Sequence, residues 1–291
     1  MKRNLRPCSV FTPRPGHDRR IYGAVSGILQ TRRRIHVGAG RWSVQKLPSG
    51  CGFRIEEPSV SWRCGEDLKD RVRPWNEVLA RQLRSAVPWR NFRWVHGQRH
   101  YSGTYWSSTT EGFVIYESRL ELARLLVADF DDRVEHIVAQ PFLMTARIDG
   151  KLRRHVPDYL LFTTDGPVVI DVKPRRKLDA PKVAYTLAWA REMIESHGWV
   201  FEVATEPAPT LLENIRFLAG YRRQWLIDPQ ILACLRAQRH HGRSLADTVN
   251  SVQGVAAISV KPAVLHMLWT HELSTDLTRR LSGRSEISAS A

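Results

Sequence analysis

Hydrophobic positions fall into a regular order only from about Tyr116 onward. Over residues 116–128, Leu122, Leu125 and Leu126 recur at three- and four-residue spacing while Glu117, Glu121 and Arg124 take other positions, which predicts an amphipathic helix. Short strand-like runs follow at 136–140, 142–148, 157–162 and 168–173. Asp149-Gly150 and Asp165-Gly166 between them are hairpin-turn signals. A second helix is predicted over 181–197, with Pro181 at its first position and Gly198 just past its end, and residues 199–204 return as a strand. The predicted order is α-β-β-β-α-β, with room for one extra strand at the start, which is an α/β chain with a mixed, α+β type sheet.

The flanking regions are less regular. Residues 59–115 interleave Trp62, Trp75, Trp89 and Trp94 with arginine and small polar groups, then Gln98-Arg99-His100-Tyr101; residues 75–86 fit a helix. Such tryptophans either pack in a core or stack on nucleic acid. Residues 1–58 are rich in arginine and broken by Pro7, Pro13, Pro15, Gly16, Gly38 and Gly40, so they read as a basic, poorly ordered extension. Beyond 207, residues 211–224 and 229–238 fit helices. Residues 244–249, a turn at Gln253-Gly254 and residues 262–271 suggest a helix-turn-helix, and a strand pair across 272–281 a wing. The expected division is a 59–207 domain, a small winged-helix-like domain over 208–284 and a frayed tail at 285–291. The alternative for 208–284 is a helical docking module, since its second helix offers only Lys261, His266 and His271, thin material for reading bases.

Charge narrows the partners. Lys plus Arg number 44 against 29 acidic residues, a net +15 with a pI near 10.2. That surplus favours a polyanion, nucleic acid before an acidic membrane face. No run approaches the roughly 20 apolar residues that span a bilayer, and no apolar segment follows the basic Met1-Lys2-Arg3 to make a secretory signal. Cys8, Cys51, Cys64 and Cys234 are scattered without a paired spacing, which argues against zinc and disulfides and fits a cytoplasmic protein.

The chemistry concentrates in Val156-Pro157-Asp158 and Val169-Ile170-Asp171-Val172-Lys173. With Asp165-Gly166 as the centre of a two-residue hairpin, Asp158 falls directly opposite Lys173. Strand alternation then places Asp158, Asp171 and Lys173 on one face, with Val168, Ile170 and Val172 on the buried side. Two neighbouring carboxylates repel unless a cation lies between them, and oxygen-only ligation suits Mg²⁺ or Mn²⁺. A metal there can polarise a phosphate and acidify a bound water. Lys173 can orient that water, help deprotonate it or stabilise charge building on phosphorus. Glu121, on the preceding helix, is the candidate to complete the metal shell; Glu117, one turn earlier on the same face, is its rival. The competing reading is an exposed sheet face bearing a surface ion pair between Asp158 and Lys173.

Pro157-Asp158…Asp171-Val172-Lys173 resembles the PD-(D/E)XK pattern of restriction-endonuclease-like enzymes. Glu117-Ser118-Arg119-Leu120-Glu121, Phe130-Asp131, Gln140-Pro141, Asp149-Gly150-Lys151, Arg154 to Leu160 and Val172-Lys173-Pro174 together are similar to the TnsA endonuclease of heteromeric transposons, clearly over 115–205. The resemblance implies a restriction-endonuclease-like αβββαβ core followed by a winged-helix-like C-terminal part. It implies a Mg²⁺-dependent endonuclease that cuts the 5′ strand ends of a transposon in double-stranded DNA. The implied partners are a TnsB-like DDE-type transposase and a TnsC-like AAA+ ATPase. It also implies catalytic roles for Glu121, Asp158 and Lys173, with Asp171 at a position where the family accepts Gln as well as an acid, and it sets Gln140 near the site. A stand-alone restriction or repair nuclease and a non-catalytic DNA-binding subunit are the alternatives.

Overall fold

The computed structural model describes residues 52–65, 67–90 and 101–289. The expected extension therefore lies almost wholly outside the described residues, as do Trp94 and Gln98-Arg99-His100. The described chain begins earlier than the expected boundary at 59, with β1 (Ile55–Cys64). Its Val60, Trp62 and Cys64 alternate inward. β2 (Asp70–Pro74) is an exposed edge strand. The helix expected over 75–86 is instead two 3-10 turns, Trp75–Glu77 and Ala80–Leu83, separated by Val78 and Leu79 in extended conformation, and then the short β3 (Ala86–Val87). Of the two readings for the tryptophans, packing holds for Trp62 and Trp75, both buried; the Trp75 indole donates to the Met193 carbonyl at 2.6 Å.

A hairpin of β4 (Gly103–Ser107) and β5 (Gly112–Tyr116) leads into α1 (Arg119–Phe130). Buried Asp129 of α1 ties the hairpin down. It accepts from the hydroxyls of Tyr105 and Ser107 at 2.6 and 2.7 Å and from the backbone N–H groups of Ser108 and Thr109 at 3.1 and 2.8 Å. The helix begins three residues later than the pattern suggests because Ser118 caps it: its hydroxyl accepts from the Glu121 N–H at 3.1 Å. Glu117 therefore precedes the helix and is not a turn below Glu121 on its face. Arg124, expected on the polar side, is buried against Glu202 at 3.4 Å.

After α1 come β6 (Val134–Ala139), β7 (Leu143–Ile148), β8 (Lys151–His155), β9 (Tyr159–Thr163), β10 (Gly166–Val172), α2 (Pro181–Glu195) and β11 (Val200–Ala204). The central sheet runs β11-β10-β9-β6, with β10 parallel to β11 and antiparallel to β9. The extra strand leaves this sheet: β7 pairs with β1 and β8 in a second, antiparallel sheet. The switch falls at Gln140-Pro141. Gln140 has a left-handed φ of 46°, and Pro141 supplies no N–H to continue a ladder. The β7–β8 turn is Asp149-Gly150, as the sequence predicts, with both residues at positive φ. The β9–β10 turn lies one residue earlier than predicted, because Thr163 pairs with Gly166 and leaves Thr164-Asp165 at its centre.

Both faces of the central sheet are covered. Ile137, Tyr159, Leu161, Ile170 and Val172 join α1 and the C-terminal region in one buried cluster. Val138, Leu160, Val169 and Phe201 join α2, β1 and β7 in another. The architecture is mixed α/β, with a central sheet that is antiparallel except for the β10–β11 pair and a second sheet that is wholly antiparallel.

The C-terminal region comprises α3 (Pro209–Leu218), α4 (Pro229–Arg236), β12 (Arg243–Ser244), α5 (Leu245–Val249), α6 (Ala257–Trp269), β13 (Leu273–Ser274) and β14 (Glu286–Ala289). One expectation fails here. The tail expected to fray supplies β14, which pairs with both β12 and β13 and leaves Ile287 0% exposed. The second helix of the expected helix-turn-helix, already thin material for reading bases, has every residue of α6 from Ala263 to Trp269 buried. Its His266 Nδ1 meets the Tyr221 carbonyl at 2.7 Å, and His271 beyond it meets the Phe130 carbonyl. The region shares the buried cluster of α1 and β10 and has no separate core.

Candidate active site

The site lies where β9 begins and β10 ends. Tyr159 pairs with Ile170, so continuing the ladder puts Asp158 opposite Asp171, not opposite Lys173. The register differs from the sequence expectation by two residues. An even slip preserves the face, so Asp158, Asp171 and Lys173 still share one. That face is not exposed: Asp171 is 0% exposed, because α2 and the second sheet cover it. The ion pair of the competing reading, Lys173 with Asp158, is present at 3.2 Å, but it lies on a face that buries Asp171 instead of exposing it.

The Asp158 backbone is held on both sides. Its N–H donates to the Ile170 carbonyl at 3.0 Å, and its carbonyl accepts from the Gln140 N–H at 2.9 Å. Its Oδ2 accepts from the Val172 N–H at 2.6 Å and from the Lys173 ammonium at 3.2 Å. The same ammonium lies 3.9 Å from Asp171 Oδ1 and donates to the Val172 carbonyl at 3.0 Å. Glu121 faces this group from the first turn of α1. Its carboxylate accepts from the Glu117 N–H at 2.7 Å and from the Ser118 hydroxyl at 2.9 Å.

Burial, and then the charge of Asp158, push the Glu121 carboxyl up to about 7. Burial also raises Asp158, more than Lys173 and the Val172 N–H lower it. Burial works against Asp171 too, but the His155 imidazole and the Lys173 ammonium hold its carboxyl below the ordinary range. Burial would lower Lys173, yet Asp171 and Asp158 outweigh it and raise the amine, so it is protonated at neutral pH.

One participant was missed by sequence reasoning. His155, at the end of β8, places Nε2 2.7 Å from Asp171 Oδ2. The available signal was its position in the Arg154-His155-Val156-Pro157-Asp158 block, but its partner lies on another sheet. Gln140 is a tie beside the site. Its side chain accepts from the Arg90 N–H at 3.0 Å and donates to Glu117 at 2.8 Å, while its carbonyl accepts from the Trp89 N–H at 3.0 Å. Glu117 is further engaged by Arg90 at 3.3 Å. It belongs to this brace, whereas Glu121 interacts with Asp158.

The donor set can be tested against a divalent cation. Among the described residues, no three His, Cys, Asp or Glu side chains are gathered closely enough to enclose an ion. Mg²⁺ does not need such a cage, since it keeps several waters and takes one or two carboxylates plus substrate phosphate. Glu121 and Asp158 are two carboxylates whose mutual repulsion a cation would relieve, and Asp171 Oδ1 is a buried oxygen with no hydrogen-bond partner. The residues fit a hydrated Mg²⁺ or Mn²⁺ held mainly by Glu121 and Asp158, with Asp171 behind them.

Residues 131–206 of the 291 match the family model described as TnsA-like endonuclease N terminal. That segment contains Gln140, His155, Asp158, Asp171 and Lys173; Glu117 and Glu121 lie just before it. No curated protein matches the chain. The family match supports a TnsA-like endonuclease, and so a nuclease of a Tn7-like transposition system acting on DNA. Among the described residues, no helix is long and apolar enough to cross a membrane.

Proposed function

We propose that this protein is the DNA-cleaving subunit of a heteromeric transposase, hydrolysing phosphodiester bonds at the 5′ strand ends of a transposon with Mg²⁺ or Mn²⁺. It would act in the cytoplasm with a TnsB-like DDE-type transposase and a TnsC-like AAA+ ATPase. The observation that carries this reading is the contact of the Lys173 ammonium with Asp158, beside Asp171 and Glu121, at the centre of the segment that matches the nuclease family.

A divalent cation held by Glu121 and Asp158 supplies phosphate polarisation and a water acidified for attack. Lys173 is held protonated by two carboxylates, so its role is donation: it orients the attacking water or neutralises charge on a non-bridging phosphate oxygen. Asp171, locked between His155 and Lys173, keeps the ammonium on the Asp158 side. Exposed Arg175, Arg176 and Lys177 follow Lys173 after Pro174 and would take flanking phosphates.

The test is 5′-strand nicking of transposon-end DNA by the reconstituted partner set, with Mg²⁺ and with a chelator. Lys173→Met should cost at least about a hundredfold in rate; it also takes the cation from Asp158 and buried Asp171, so it should lower the melting temperature, and the rates are compared where circular dichroism shows both proteins folded. Nicking by Lys173→Met at the wild-type rate, or full nicking in chelator, would overturn the assignment.

A further inference from the structure

We propose that the cleft between β2 and the 3-10 turn Ala80–Leu83 is a binding site for a phosphate group, distinct from the catalytic end of the sheet. It rests on the nuclease reading only in that the expected source of the phosphate is the backbone of the DNA being cut.

The cleft encloses about 450 Å³ and is walled by Trp62, Arg71, Arg73, Arg81, Gln82 and Ser85. Its shape follows from the pairing of β1 with β2. Trp62 lies opposite Arg71 and Val60 opposite Arg73, so both guanidinium groups stand on the face where β1 turns its apolar side chains inward. The turn carrying Arg81 closes the other side. Among the described residues, no acidic side chain lines the space. Arg71 leans on Asp67 at 3.4 Å, while Arg73 and Arg81 make no ion pair among the described residues. Arginine is suited to phosphate because its planar fork donates in two directions at once.

A second observation points independently to a ligand. Trp62 is 2% exposed, and its indole N–H is buried without a hydrogen-bond partner. A buried donor left unpaired is costly, and an indole offers only donation. The nitrogen is shielded from solvent, so an anionic oxygen in this cleft would satisfy it only with a small turn of the ring toward the anion. The combination of one buried neutral donor and three cations fits phosphate better than a neutral or cationic ligand.

The position is informative as well. The chain that forms the cleft wall continues from Ser85 to Trp89 and Arg90, whose backbone N–H groups are both bonded to Gln140 at the catalytic end. A strand held in the cleft is thus held by a segment fastened to the brace of the site, which suits a clamp on a phosphate upstream or downstream of the bond cut.

The test uses the full chain in chelator, so that binding is read without cleavage. Three probes are titrated: inorganic pyrophosphate, ATP, and a DNA duplex at several salt concentrations. Arg73→Ala/Arg81→Ala should weaken duplex binding and reduce the log–log salt slope by about 0.9 for each phosphate that the variant no longer neutralises. Trp62→Phe, which keeps most of the packing, should weaken the same binding by about tenfold. Loss of ATP and pyrophosphate binding with an unchanged duplex isotherm would support the phosphate site and assign it to a free nucleotide. Wild-type binding of all three probes by both variants would overturn the proposal. Binding is read in chelator without cleavage, so a nuclease assignment that fails leaves this result readable on its own.

Discussion

Replacing Asp158 by Asn should make the metal-free protein more stable at pH 8 while abolishing nicking. Asn keeps an oxygen for the Val172 N–H and the Lys173 ammonium, so the geometry at 2.6 and 3.2 Å has an acceptor still. What disappears is a charge that the folded environment disfavours, even with Lys173 beside it. The neighbouring Glu121 carboxyl is raised from 4.5 to about 7, by burial first and Asp158 second. At about 1.36 kcal/mol per unit, ionising Glu121 in the fold costs roughly 3 kcal/mol at high pH. The sign follows: an acid whose folded pKa is raised keeps its proton in the native state longer than in the unfolded one. The Glu121 contribution to stability is therefore greatest below about pH 4.5 and falls as pH rises toward 7. Removing the Asp158 charge should recover about 1 kcal/mol of this at pH 8 and almost none at pH 4.5. Urea melts of both proteins in chelator at the two pH values measure the difference. Mg²⁺ at ten times its dissociation constant should add about 1.4 kcal/mol to the wild type and nothing to the variant. A variant less stable than the wild type at pH 8 in chelator, or one equally stabilised by Mg²⁺, would refute the reasoning.

Asp129→Ala should cost about 4 kcal/mol in urea unfolding, because it strips a buried carboxylate from Tyr105, Ser107, Ser108 and Thr109 and leaves their donors unpaired. His155→Ala should destabilise the protein by about 3 kcal/mol at neutral pH, since it leaves the fully buried Asp171 carboxylate with Lys173 alone, and should slow nicking as well. Ile287→Ala should cost about 3 kcal/mol by opening a cavity under β14, where a frayed tail would show no change.

The helix at 119–130, the turn at Asp149-Gly150 and the convergence of Asp158, Asp171 and Lys173 are all legible in the sequence, because each is set by local spacing. The β9–β10 register is displaced by two residues without harm, since a period of two forgives an even slip. Other features depend on partners far along the chain. His155 meets an aspartate from a different sheet. Arg124 is buried only because Glu202 arrives from β11. β14 has one large apolar residue, Ile287, and becomes a strand because β12 and β13 flank it. The role of α6 is hidden for a related reason. Its single histidine, His266, is held inside the molecule by the Tyr221 carbonyl, a partner 45 residues away in the sequence.

Glu121 holds the start of α1 closed by accepting from Glu117 and Ser118. An ion drawing on the same carboxylate competes with those two donors, so filling the site loosens the first turn of the helix. The backbone N–H of Glu117 is then an occupancy gauge: its deuterium exchange should quicken when Mg²⁺ binds, although the rest of the fold becomes harder to open. Glu117 also ends the strand connection from β5 and grips Gln140 and Arg90, so the loosening is transmitted to the segment that runs back toward β3. A charge arriving at one end of the sheet would be felt as slack in the segment that carries Trp89 and Arg90.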